Sequence, residues 1–158
     1  MAGFSAAPGQ PEAPEASFQD GDGETRRLSE FRGRLVLVNL WATWCAPCVR
    51  EMPSLDALQA ELAGEGLTVL PVSLDRGGAQ VVRPFYEEHG LENLPVLADR
   101  TGGLFRTFAV RGVPTSVLIG REGQVLGRLE GDADWHSPEA LALVRHFLEC
   151  GRPAAEGG

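Results

Sequence analysis

The sequence predicts an α/β domain, a mixed central β-sheet flanked by helices. Three observations carry that expectation. Leu35–Trp41 and Leu67–Leu74 are continuous apolar runs rich in β-branched residues, which is how strands covered on both faces look. Each run is followed by a helical pattern, and alternating strands and helices require a parallel part of the sheet. Later in the chain, two short strand patterns flank Gly120-Arg121-Glu122-Gly123, a hairpin signal that adds antiparallel strands.

Taken in order, residues 1–16 are rich in Ala, Pro, Gly and Glu and are expected to form a flexible tail. The folded domain is expected over 17–151, opening with a small element at Ser17-Phe18 and turn chemistry at Gly21-Asp22-Gly23. After the first long strand, Met52, Leu55, Leu58 and Leu62 recur at helical spacing, and Gly64 and Gly66 end that helix. Pro71 sits inside the second strand, where proline removes a ladder donor. Val81–His89 reads as a helix whose start is blurred by Pro84. A short apolar piece, Leu94–Ala98, and a helix over Leu104–Val110 follow. Thr115–Ile119 and Gln124–Leu129 are the hairpin strands. Ser137 suits an N-cap and Pro138 the first helical position of the last helix. Leu141, Val144 and Leu148 form its inner face, Gly151 stops it, and 152–158 are expected to be a disordered tail.

Composition narrows the function classes. The chain has 158 residues, 43% hydrophobic and 23% charged, enough for one substantial core. Its formal net charge of −8 disfavours a nucleic-acid binder, which carries a basic face. No run approaches the ~20 apolar residues that span a bilayer. Met1–Glu24 has neither the basic start nor the apolar core of a signal peptide. Either the chain stays in the cytosol or an export signal or anchor lies upstream of Met1. The three cysteines do not make a disulfide-stapled scaffold; they read as one reactive pair and a bystander, Cys150.

The pair carries the chemistry. Cys45 and Cys48 are three apart, where a buried strand gives way to a helix. First-turn backbone N–H groups are unpaired and the helix dipole is positive there. A thiolate at Cys45 is stabilised in that position, below the free value of ~8.5. Cys48, one turn on, is close enough to close a disulfide. Pro47 is tolerated because first-turn amides have no helical partner. Cys45 is therefore the expected nucleophile and Cys48 the resolving thiol. A zinc site would want a second Cys-x-x-Cys or a His pair at ligand spacing. His89, His136 and His146 are scattered, so neither a metal nor any cofactor beyond the Cys45–Cys48 pair is expected.

Trp41-Ala42-Thr43-Trp44-Cys45-Ala46-Pro47-Cys48 resembles the active-site motif of the thioredoxin superfamily. With Leu28-Ser29-Glu30-Phe31-Arg32-Gly33, Val36–Trp41 and Glu51-Met52-Pro53, the stretch from Ser17 to Cys150 resembles the TlpA/ResA-like branch. The resemblance implies a thioredoxin-like fold with a helical insertion, here Asp75–Ala98, before a cis-proline, here Val113-Pro114-Thr115. It implies a protein-disulfide oxidoreductase, in many cases a reductant, serving cytochrome c maturation or copper-site assembly from outside the cytoplasm. The implied partners are apo-cytochrome c or copper-site proteins with disulfides, and a membrane thiol carrier as reductant. A monomer in the periplasm, tethered through a segment upstream of Met1, follows from the same resemblance.

Residue roles carry over by position. Asn39 stands where ordinary thioredoxins place a buried Asp, and Glu51 matches the branch's acid three residues after the second Cys. Such a carboxylate, partly buried, exchanges a proton with Cys48; the plainer alternative is a solvated helix charge. Val113 and Pro114 offer backbone to an incoming peptide as a strand would. Trp44, Ala46 and Pro47 complete the docking surface, Pro53 matches a proline that kinks the helix, and Trp41 is expected in the core.

Rival functions make distinct demands. A Sco-like copper chaperone uses Cys-x-x-x-Cys and a distant His, and the spacing here differs. A peroxidase wants Thr-x-x-Cys with a nearby Arg, and the offset of Thr43 is wrong. A general cytosolic thioredoxin-like reductase stays open. Ala46-Pro47 supplies no His between the cysteines, so a potential near the reducing end of the roughly −270 to −120 mV spread is expected.

Overall fold

The computed structural model describes residues 1–151. Its strands are β1 (Phe4–Ala6), β2 (Ser17–Asp20), β3 (Thr25–Arg27), β4 (Leu35–Trp41), β5 (Leu67–Ser73), β6 (Leu97–Ala98), β7 (Thr115–Ile119) and β8 (Val125–Glu130). The helices are α1 (Ala46–Leu62), α2 (Ala79–His89), α3 (Gly103–Thr107) and α4 (Pro138–Cys150). One sheet runs β1-β8-β7-β4-β5-β6-β2-β3. The β4–β5 and β5–β6 pairs are parallel, and the remaining pairs are antiparallel. The mixed sheet flanked by helices is the thioredoxin-like arrangement that the sequence predicts.

Strand β4 sits at the centre, and its period of two sorts the core into two layers. Leu35, Leu37 and Trp41 pack with Met52, Leu55, Leu58 and Leu62 of α1, Val82 and Tyr86 of α2, and Val144 and Leu148 of α4. Val36, Val38 and Leu40 point the other way, against Leu104, Phe108 and Val117. Each fully buried Leu is worth roughly 2 kcal/mol over an exposed one. Asn39 shares the odd register, so the same alternation aims it at the α1 side.

The two prolines are accommodated differently. Pro71 lies in β5 opposite Asn39 on one side, while β6 pairs only with Val72 and Ser73 on the other. The second ladder therefore begins just after the residue that lacks a donor. Pro84 lies inside α2, which starts at Ala79, two residues before the expected start. α3 is shorter than the expected Leu104–Val110 because the chain turns out of the helix, with Ala109 at φ 51°.

The largest difference from expectation is at the N-terminus. Residues 1–16 are not a loose tail. Phe4, Ser5 and Ala6 pair with Leu129, Arg128 and Gly127 of β8. Backbone bonds from Ala7 to Leu126, Val125 to Pro11 and Ala13 to Gly123 continue the attachment. Side-chain composition missed this because the affinity comes from main chain: the outer edge of β8 has N–H and C=O groups to satisfy. Phe4 adds an aromatic contact with Phe147 of α4, ring centres 6.2 Å apart. The expected tail over 152–158 lies outside the described residues.

Candidate active site

The β4–α1 junction builds the site. Cys45 caps α1 in an extended conformation, and its Sγ accepts from the backbone N–H of Cys48 at 3.3 Å. The two cysteines form a disulfide, with Cα atoms 5.2 Å apart. Cys45 keeps a little exposure, 8%, whereas Cys48 has none. Pro47 lies in the first turn of α1, where its missing N–H costs nothing. Trp44 is 70% exposed, an unusual position for a large aromatic, and Ala46 beside it is also exposed.

The β7 side completes the surface. The Val113–Pro114 peptide is cis, and the Val113 carbonyl oxygen lies 3.7 Å from Cys45 Sγ. The fold thus brings Val113 and Pro114 to Cys45, next to its chain neighbours Trp44, Ala46 and Pro47. Trp41 is fully buried against Phe85 and Tyr86 of α2, a core residue.

Glu51 is buried, 2% exposed, one turn beyond Cys48 on α1. Asn39 donates to its Oε1 at 2.7 Å and to Ser116 Oγ at 2.9 Å. The N–H of Ala133 and the indole N–H of Trp135 both donate to Oε2, at 2.9 and 3.2 Å. Burial dominates and pushes the carboxyl up to about 7; the three donors pull it down, and nearby Asp132 adds to the rise. A solvated helix charge is not what the structure places here. The group can hold or release a proton near neutral pH.

Residues that the sequence reading did not single out frame the site. Asp75, two residues after β5, accepts from the N–H and hydroxyl of Thr43 at 2.9 and 2.6 Å and from Ser73 Oγ at 2.6 Å. It thereby pins the loop that carries Trp44 and Cys45. Ser116 pairs in register with Asn39 across β4 and β7. The signal for both was a polar residue within or directly after a buried apolar run, which must find a partner. Trp135 left no such signal, because a tryptophan after a strand suits plain packing equally well. Cys150 is exposed, its Sγ 3.6 Å from His146 Nε2 at the far end of α4.

Known proteins resemble this chain in sequence and fold. Residues 9–127 match the AhpC/TSA family. The thiol-disulfide oxidoreductase ResA of Bacillus thuringiensis subsp. konkukian is 32% identical over 121 residues, 77% of this chain and 69% of that protein. The crystal structure of a thiol:disulfide interchange protein of the thioredoxin family from Chlorobium tepidum superposes with a TM-score of 0.71 at 27% identity, covering 88% of this chain and 97% of that one. The pneumococcal exposed lipoprotein thioredoxin Etrx1 of Streptococcus pneumoniae superposes with a TM-score of 0.69 at 28% identity, covering 86% and 99%.

Proposed function

The chain belongs to the AhpC/TSA thioredoxin-like family and is a thiol–disulfide oxidoreductase acting on protein disulfides, and from that premise we propose that it works as a reductant in cytochrome c maturation or copper-site assembly. The observation that carries this reading is the setting of the cysteine pair. No histidine or cation stands between Cys45 and Cys48, while a buried carboxylate, Glu51, sits one turn away. A low thiolate stabilisation keeps the disulfide form favoured, so the reduced pair gives up its electrons readily. The redox group is the pair itself.

In this mechanism an oxidised partner lays an extended segment against Val113 and Pro114, beneath Trp44. The Cys45 thiolate attacks one sulfur of the partner's disulfide and forms a mixed disulfide. Glu51 accepts the proton of Cys48, and the Cys48 thiolate attacks Cys45 Sγ. The Cys45–Cys48 bond closes and the partner leaves as a dithiol, two electrons richer. A membrane thiol carrier then reduces the pair again.

The setting we propose is the periplasmic face of a membrane. That the structural relative Etrx1 is an exposed lipoprotein supports it. No helix among the described residues is long and apolar enough to cross a membrane. Phe4–Ala6, Ala7, Pro11 and Ala13 are held along β8 and its turn, so this segment is not an extended tether.

The test is an equilibrium titration of the pair against glutathione, together with reaction of the reduced protein with an oxidised Cys-x-x-Cys-His peptide, the haem-attachment motif. A potential near −270 mV with reduction of the peptide is the expected outcome. A potential near −120 mV, with the oxidised protein oxidising the reduced peptide, would reverse the direction and sink the proposal.

A further inference from the structure

The two oxygens of Glu51 are held unequally. Oε2 accepts from the Ala133 amide and the Trp135 indole, at 2.9 and 3.2 Å. Among the described residues, Oε1 accepts from Asn39 alone, at 2.7 Å. A carboxylate oxygen offers two lone pairs in its plane. Both on Oε2 are taken, and one on Oε1 is open.

The partners differ in kind as well as number. A backbone N–H and an indole N–H donate only, so a proton placed on Oε2 would meet two others that cannot turn away. The loop bearing them is also fixed. Trp135 is 1% exposed, and its backbone N–H donates to Ser54 Oγ at 3.0 Å. Ser54 is on α1, and its hydroxyl donates to the Glu51 carbonyl at 2.7 Å.

We propose that Trp135 is a positioning residue for proton transfer: with Ala133 it closes Oε2, so the proton exchanged with Cys48 is taken up and released at Oε1 alone. This rests on the reading of Glu51 as the proton carrier. In the resolving step the proton of Cys48 passes to Oε1, and the electron pair left on Cys48 forms the bond to Cys45 Sγ. The bond between Cys45 and the partner breaks, the partner sulfur departs with its electron pair, and Oε1 is free to return its proton.

Among the described residues, the charge that bears on Glu51 is that of Asp132. Asp132 acts from the same loop and has Arg50 of α1 at 3.7 Å as its counter-ion. α1 contributes the cysteine pair, which does not titrate while oxidised. β4 and β7 face it with neutral Asn39 and Ser116.

The test uses the oxidised full chain. The indole resonance of Trp135 and the amide resonance of Ala133, followed by 15N NMR between about pH 5 and pH 9, should titrate with one midpoint and become flat in Glu51→Gln. In Trp135→Phe, Oε2 loses a donor that favours the charged form. The Glu51 midpoint, followed by 13C NMR of the carboxyl, should rise by about one unit, and the pH profile of disulfide exchange should move with it. An indole that does not titrate in the unsubstituted protein overturns the assignment, and needs no variant that folds. An unmoved midpoint in folded Trp135→Phe overturns it too, while Glu51→Gln still exchanges slowly. Exchange at the normal rate in Glu51→Gln overturns the reading of Glu51 itself.

Discussion

Asn39 donates to Glu51 across the gap between β4 and α1, at 2.7 Å, with both residues buried. The contact joins the central strand to the helix that starts at the redox pair. It also stabilises a charge in a place where burial opposes charge, and the balance leaves Glu51 able to titrate near neutral pH.

That balance has a stability signature. Glu51 has its carboxyl raised from 4.5 to about 7. The folded protein therefore holds this proton more tightly than the unfolded chain does. The contribution is complete below about pH 4.5 and is lost as pH rises to about 7, a fall of about 3 kcal/mol. Glu51→Gln removes the titration. Urea unfolding of the oxidised proteins near pH 4 and pH 8 should show the variant losing less stability across that range. Equal losses in both proteins would refute the burial argument.

The same variant should slow disulfide exchange near neutral pH by about 10²-fold if it removes general acid–base catalysis. The comparison is stopped-flow reduction of a protein disulfide, with the circular dichroism spectrum as the check on folding. An unchanged rate would leave Glu51 without a role in exchange.

Cys45 sits at the N-cap of α1 with slight exposure, and Cys48 is fully covered. In reduced protein carrying Cys150→Ser, iodoacetamide at mildly acidic pH should label Cys45 first. The thiolate is the reacting species and the helix start favours it at position 45. Peptide mapping that finds Cys48 modified first would reverse the assignment of nucleophile and resolving thiol.

Asp75 holds Thr43 by its N–H and hydroxyl and Ser73 by its hydroxyl. Asp75→Ala leaves those donors without their acceptor in a covered position, at a cost of about 1–3 kcal/mol for each one left buried. Thermal melting should show the loss. Exchange with a protein substrate should fall more than exchange with a small disulfide, because Trp44 and Cys45 ride on the loop that Asp75 pins. Equal falls with both substrates would confine Asp75 to stability.

Gly127 has no side chain because β1 lies against it. A Cβ there would meet the Phe4 ring and, at 2.5 Å, the carbonyl oxygen of Ser5. Gly127→Val should push β1 off the edge of β8 while the rest of the sheet stays paired. Limited proteolysis should then cut within residues 1–16 at least tenfold faster than in the unsubstituted protein, an order-of-magnitude expectation for losing ordered backbone. Unchanged cleavage would mean that β8 bends to accept the side chain.

Much of the site was legible because its residues are close in sequence. Cys45, Cys48 and Glu51 fall on successive turns of one helix, and helical spacing alone puts them on one side. The central strands were legible because each is long and apolar. The order along β1 was not, because backbone pairing leaves little trace in side-chain composition. The true start of α2 was hidden for a related reason: Pro84 argues against a helix interior, and packing of Val82 and Tyr86 overrides it.

By itself the sequence determined the redox pair, the two central strands and the helix that carries the chemistry, since these depend on local spacing and on the period of apolar residues. Only the tertiary structure decided what surrounds that pair. Val113 reaches Cys45 from 68 residues away, Asn39 reaches Ser116 from 77, and Trp135 reaches Glu51 from 84. A buried carboxylate must find donors, and contacts between distant residues obey no sequence period; they exist because the β4–β7 register and the loop after β8 bring the Asn39–Ser116 and Trp135–Glu51 partners to 2.9 and 3.2 Å.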